Sequence, residues 1–164
     1  MSLEEIQVRW NKWDVRFLRL AREVSTWSKD PSTQVGACIV DNNRRVISVG
    51  FNGLPRAIPD SDRILNDREE KYEHIIHAEI NALLFAQDRP LSSARIYTYP
   101  FPPCSRCAAV IIQAGIRSVV SVAPAPELRE RWADSLRRAQ AMFNAARVDF
   151  QLYKHEWLDG DMFS

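Results

Sequence analysis

From Ala78 to Leu152 helical and strand patterns alternate without a break, and this constrains the fold more than any other property of the chain. Ala78–Gln87 has a helical pattern and Arg95–Tyr99 a strand pattern. Cys104–Ala114 predicts a helix stopped by Gly115, Ser118–Val122 a valine-rich strand, and Pro126–Ala145 a long amphipathic helix. Val148, Phe150 and Leu152 then alternate with Asp149 and Gln151, which predicts a half-buried strand. Strands separated by helices need crossover connections, and crossovers make parallel pairs. Upstream, Val35–Val40 and Val46–Phe51 flank the turn Asp41-Asn42-Asn43, which predicts an antiparallel hairpin. A first helix is read over Trp10 to Trp27, with Trp10, Trp13, Phe17, Leu20, Val24 and Trp27 as its apolar face. Lys29-Asp30-Pro31 ends it. The order α-β-β-α-β-α-β-α-β predicts an α/β fold: a three-layer α-β-α sandwich around a mixed five-stranded sheet, in one domain spanning 1–164.

The segment from Asn52 to about Ile76 has no such pattern. Its charge run, Asp60 to Lys71, reads as a solvated loop with a short helix, leading directly into His77. The tail 154–164 carries Trp157, Met162 and Phe163, which could dock on this chain or on a partner subunit.

The 164 residues are long enough to bury one ordinary core, and 46% hydrophobic with 26% charged residues is the balance of a globular protein. A net charge of +1 argues against a dominant polyanion-binding face, so nucleic acid is not the expected partner. There is no apolar run of the ~18 residues that a membrane span needs. The acidic start Met1-Ser2-Leu3-Glu4-Glu5 lacks the apolar core of a secretion signal, so the expected location is cytoplasmic. Of the three cysteines, two have the spacing of metal ligands, and Cys38, in an apolar run, is expected to be a buried small hydrophobe.

His77-Ala78-Glu79 and Pro103-Cys104-Ser105-Arg106-Cys107 carry the chemistry. Cys104 and Cys107 lie on one face at a helix start, where the exposed N–H groups favour thiolate, and His77 completes a His-Cys-Cys set. Three N/S ligands leave a zinc ion one open position, the arrangement of catalytic sites. In a regular helix His77 and Glu79 would point about 200° apart. His77 is therefore expected at or just before the first turn, leaving Glu79 free as a proton shuttle for a zinc-bound water. Hydroxide attack on an amino-bearing aromatic carbon, with loss of ammonia, follows. The alternative is a closed structural zinc knuckle with His74 or Cys38 as fourth ligand; His74 otherwise reads as a loop or ligand-orienting residue, and His155 as a surface histidine.

The chain resembles the deoxycytidylate (dCMP) deaminases of the zinc-dependent cytidine deaminase superfamily over about residues 12–153. The resemblance is carried by Ser28–Ala37, Gly50–Arg56, His77–Ala82, Pro103–Ala108 and Ile111–Ile116. It implies a cytidine deaminase-like fold and hydrolysis of dCMP to dUMP and ammonia, which supplies dTMP synthesis. Zinc, one ion per chain, would sit on His77, Cys104 and Cys107, with Glu79 as the catalytic proton shuttle. It also implies contacts of Asn52 with sugar or base, of Ala78 and Pro103 backbone with the cytosine edge, and of Phe101 as an apolar wall. Lys29, Ser32, Thr33, Arg56 and Arg106 are the candidates for the phosphate. A homo-oligomer, dimer or hexamer, is implied, as are dCTP and dTTP effectors, although Phe51 and Ala57 depart from the family's effector loop. Residues 54–76 lack the cysteines of a second zinc. The link Tyr97–Pro103 runs one residue longer than usual. Competing readings are a deaminase of a nucleoside, a modified nucleotide or a tRNA adenosine, and a zinc-stabilised binding module without turnover. A tRNA enzyme would need a basic, aromatic-bearing face.

Overall fold

The computed structural model describes residues 9–160. A five-stranded sheet runs in the order β2-β1-β3-β4-β5, with β1 Gly36–Val40, β2 Val46–Phe51, β3 Arg95–Tyr99, β4 Ser118–Val122 and β5 Asp149–Tyr153. β1 is antiparallel to both β2 and β3, whereas β3, β4 and β5 are mutually parallel, as the alternating second half predicts. The helices are α1 Lys12–Ser25, α2 Asp62–Asn66, α3 Arg68–His74, α4 Ala78–Ala86, α5 Ser105–Gln113 and α6 Pro126–Ala145, with a 3₁₀ turn at His155–Leu158. Gly115, at φ 90°, closes the C-terminus of α5.

Side chains alternate across the sheet and divide the core in two. Ala37 and Ile39 join Ala78, Ala82, Ala108, Ile111, Leu136 and Phe143, so α4, α5 and α6 cover one face. Cys38 and Val40 join Val15, Leu18, Ala21, Tyr97 and Tyr153, so α1 covers the other. This is the three-layer sandwich, a mixed sheet with helices on both faces.

The buried face of α1 differs from the expected one. Phe17 and Val24 are buried as expected and Trp13 and Leu20 pack against the same cluster, but Trp10 and Trp27 lie outside the helix, 46% and 50% exposed, and Val15, Leu18 and Ala21 join the interface. The reason is proximity: a Cβ on Gly36 would fall 2.0 Å from the Ala21 carbonyl oxygen, so only small residues fit where α1 crosses β1. Asp14 is buried with them, accepting hydrogen bonds from Tyr97 (2.8 Å) and Tyr153 (2.9 Å), which ties α1 to β3 and β5. Cys38 is fully buried, and burial pushes its thiol up to about 12.

The described part of the tail docks on its own chain. Arg19 donates to the carbonyls of Leu158 and Gly160, Arg22 pairs with Asp159 at 2.6 Å, and Leu158 is buried. His155 is partly buried, its ring edge-on to Tyr99, rather than free on the surface. Met162 and Phe163, like Met1–Glu5, lie outside the described residues.

Candidate active site

Two helix starts converge on one face of the sheet. His77 is the N-cap of α4 and Cys104 the N-cap of α5; both have extended backbones, and neither side chain caps its own helix. Their side chains are thus free to face each other. His77 Nδ1 lies 3.6 Å from Cys104 Sγ and 3.3 Å from Cys107 Sγ, and all three donors fall within 4.8 Å of one another. A tetrahedral zinc with Zn–S of about 2.3 Å and Zn–N of about 2.0 Å requires N···S separations of about 3.5 Å. The donor set and its spacing therefore fit zinc. Placing His77 outside the helix also resolves its angular conflict with Glu79, which sits in the first turn of α4.

The electrostatics are those of ligands sharing protons that a metal displaces. Cys104 is lowered to about 4, first by the hydrogen bond from Cys107, while Cys107 is raised by that same bond and by burial. His77 is shifted up, chiefly by its bond to Cys104. Glu79 is 3% exposed, and burial raises its carboxyl despite the opposing field of His77. Its Oε2 lies 3.6 Å from Cys107 Sγ. A buried carboxyl beside this donor set, with its pKa moved upward, is placed to take and return protons.

His77, Glu79, Cys104, Ala78, Phe101, Asn52, Ser32 and Thr33 all line one cavity of about 330 Å³. Several sequence candidates do not. Lys29 turns away to pair with Asp60 at 2.7 Å; Arg56 and Arg106 are exposed and Pro103 is buried, and none of the four lines the cavity. Asn52 is at the cavity, but its amide is committed to the chain. Oδ1 accepts from Val35 N at 2.8 Å, and Nδ2 donates to the Thr33 carbonyl at 2.9 Å and to Asp30 at 3.4 Å. It shapes the wall formed by residues 30–35. His74 bonds the Glu70 carbonyl through Nδ1 and lies outside the His77–Cys104–Cys107 group.

The cations that do face the cavity come from elsewhere. The charged run, expected to be a solvated loop with one short helix, folds into two, α2 and α3, which wall one side of the cavity with Leu65, Arg68, Lys71 and Tyr72. Lys71 is 5% exposed; its Nζ donates to Asp30 Oδ1 and Ser32 Oγ, each at 3.1 Å. Arg131 and Trp132 enter from α6, with Trp132 stacked on Phe101 at 6.3 Å between centroids. A signal for the two short helices was present: Ser61 and Asp67 cap them, and Asp67-x-x-Glu70 has the form of a capping box. No local signal marked Lys71 as buried.

An α-β-α domain with a His-Cys-Cys zinc set and a buried carboxylate at converging helix starts defines a class, the zinc-dependent deaminases. Residues 11–123 match the cytidine and deoxycytidylate deaminase zinc-binding region, and the chain belongs to that family. It is 45% identical to an uncharacterized deaminase in the luxG 3′ region of Aliivibrio fischeri, over 85% of this chain and 92% of that one. It is 33% identical to the deoxycytidylate deaminase of Homo sapiens, over 87% of this chain and 80% of that one. The solved dCMP deaminase of cyanophage S-TIM5, in complex with dCMP and dUMP, superposes with a TM-score of 0.68 at 20% identity, over 90% of this chain and 99% of that one. The chain is thus a deaminase with zinc as its cofactor. No helix among the described residues is long and apolar enough to cross a membrane.

Proposed function

We propose that the chain hydrolyses dCMP to dUMP and ammonia, with His77, Cys104 and Cys107 holding the zinc and Glu79 moving the protons. The observation that carries this reading is one cavity lined both by Glu79 with His77 and Cys104 of the donor set and by Lys71, Arg68 and Arg131. A base with an exocyclic amine suits the first and a phosphate the second. Zinc held by these donors would supply the Lewis acidity that makes water a nucleophile near neutral pH. Glu79 Oε takes one proton from the attacking water and delivers it to ring N3, then takes the second from the new C4 hydroxyl and delivers it to the 4-amino group, so that the C4–N4 bond breaks and ammonia leaves. Ala78 stands at the first position of α4, where helix geometry leaves the N–H without an intrahelical acceptor. That N–H is suited to the O2 of the base. Phe101 and Trp132 give the base and sugar an apolar surface. The relatives that are named deoxycytidylate deaminases support this substrate.

Ammonia release from dCMP, CMP, deoxycytidine and dCTP tests the substrate. dCMP is expected to turn over fastest; turnover of a modified base and none of these four would overturn the assignment. Glu79→Ala is expected to keep zinc and fold while losing about 10²–10⁴-fold in kcat, the range of a positioned general base. Retained activity would refute its role.

A further inference from the structure

α6 holds the segment around Cys104 at two points, one on each side of it. Before Cys104, Phe101 is stacked on Trp132, with an interplanar angle of 18° and centroids 6.3 Å apart. After it, Ser105 meets Ser135, which lies one turn beyond Trp132 on the same face of α6. Ser135 Oγ accepts a hydrogen bond from Ser105 N–H at 2.9 Å and donates one to Ser105 Oγ at 3.1 Å. Leu136 and Ala139 continue that face into the core, where they cluster with Ala108 and Ile111 of α5.

Ser105 is the first residue of α5, and its N–H is one of those that helix geometry leaves without an acceptor. The side chain at an N-cap ordinarily serves such first-turn groups. Here the N-cap is Cys104, whose Sγ turns to His77 Nδ1 at 3.6 Å and makes no cap hydrogen bond. A thiolate committed to a metal cannot also cap its helix. The acceptor comes instead from another helix, 30 residues later in the chain. We infer that Ser135 is a positioning residue for the metal site: by capping α5 from α6 it takes over the role that Cys104 gives up, and fixes Cys104 at the helix entry with Sγ toward His77 and Cys107. This role rests on the zinc set given under the proposed function.

The test is a double-mutant cycle of Ser135→Ala and Ser105→Pro, read by zinc affinity in chelator competition, with melting temperature recorded for each protein. Proline lacks the N–H that Ser135 serves and is tolerated at the first position of a helix. It also follows an extended residue, which Cys104 already is at φ −68° and ψ 171°. Ser135→Ala is expected to weaken zinc binding at least about tenfold in the wild type, the scale of losing a group that orients a ligand. In the Ser105→Pro background, where its partner is gone, the same change should cost less than about twofold. Ser135→Thr keeps the hydroxyl and should restore most of the affinity. With cobalt in place of zinc, the visible d–d bands report ligand geometry; they should shift in Ser135→Ala and return in Ser135→Thr, which decides the question without the proline background. Wild-type affinity and spectrum in Ser135→Ala, or equal losses in both backgrounds, would overturn the inference. Cys104→Ala tests the ligand set separately. A chain that still holds one equivalent of zinc without Cys104 would refute that set and the role of Ser135 with it. Loss of zinc there, beside wild-type affinity in Ser135→Ala, would refute the role of Ser135 alone.

Discussion

Gly50→Ala should damage both stability and the metal site, and the structure gives the size of the effect. Gly50 lies in β2 under α4, and a Cβ there would fall 2.3 Å from the Ala78 carbonyl oxygen and 2.4 Å from Ala82 N. Both are backbone atoms, so no side chain can rotate away. Ordinary contact begins near 3.5 Å, so α4 must withdraw by about 1 Å. Overpacking of this kind costs about 1–3 kcal/mol, and each kcal/mol lowers Tm by about 2–4 °C in a chain of this size. A fall of about 2–12 °C is expected. Ala78 separates His77 from Glu79, so the displacement also opens the donor spacing, where zinc sites tolerate only about 0.2 Å. Zinc affinity, measured by chelator competition at a temperature where every variant is folded, should drop at least about tenfold by that geometry. Two controls isolate the cause. Gly36→Ala meets the Ala21 carbonyl oxygen at 2.0 Å, on the opposite face under α1, and should lower Tm comparably without changing zinc affinity. Gly53→Ala meets nothing nearer than the Phe51 ring at 4.0 Å and should be close to neutral in both. Wild-type zinc affinity in Gly50→Ala, or an equal loss in Gly36→Ala, would refute the argument that this contact sets the position of the ligand helix.

Asp14→Ala should cost about 1–3 kcal/mol in urea unfolding, because it strands the Tyr97 hydroxyl in the core, while Tyr153 keeps its bonds to Asn11 N and the Arg9 carbonyl; a loss below about 1 kcal/mol would show that the carboxylate does not hold α1 to the sheet. Cys38 has a folded-state value raised from 9.0 to about 12 by burial, so between these values the native thiol keeps a proton that the unfolded chain has lost. Stability therefore falls as pH rises above about 9, by at most about 1.4 kcal/mol per unit from this group, and Cys38→Ala should flatten the wild-type slope by that amount. Identical slopes would show that the thiol is not held neutral.

The sheet was legible where patterns were strong and local. β2, β3, β4 and α6 fall at the bounds read from periodicity, because alternating or valine-rich runs and an amphipathic stripe leave few competing structures. The misreading of α1 has a definite cause. Phe17 and Val24 are buried as read, but Trp10 and Trp27 lie beyond the ends of α1, and the helix approaches β1 so closely at Gly36 that the small Ala21 also belongs to the contact. In 60–71 the charges concealed two capped helices, because Leu65 and Lys71 are buried there among residues that mostly face water.

The two halves of the site differ in legibility for a physical reason. A tetrahedral metal and a proton shuttle demand particular residue types at particular helix positions, so His77, Glu79, Cys104 and Cys107 stand out as candidates from order and spacing. Anion recognition demands only positive charge and N–H donors in the right place, and any lysine or arginine in a chain can supply them. Which ones do so is decided by tertiary contacts. Lys71 reaches Asp30 across 41 residues of sequence, and Arg131 reaches Thr33 across 98. Lys29, adjacent to Asp30 in sequence, turns out to Asp60 instead. The cationic wall of the cavity is built from 30–33, 68–72 and 131–132, three segments that no local pattern connects. The donor set is therefore written locally in this chain, while the cationic wall of the cavity is assembled from long-range pairs such as Lys71–Asp30, which can change without disturbing the His77–Cys104–Cys107 group.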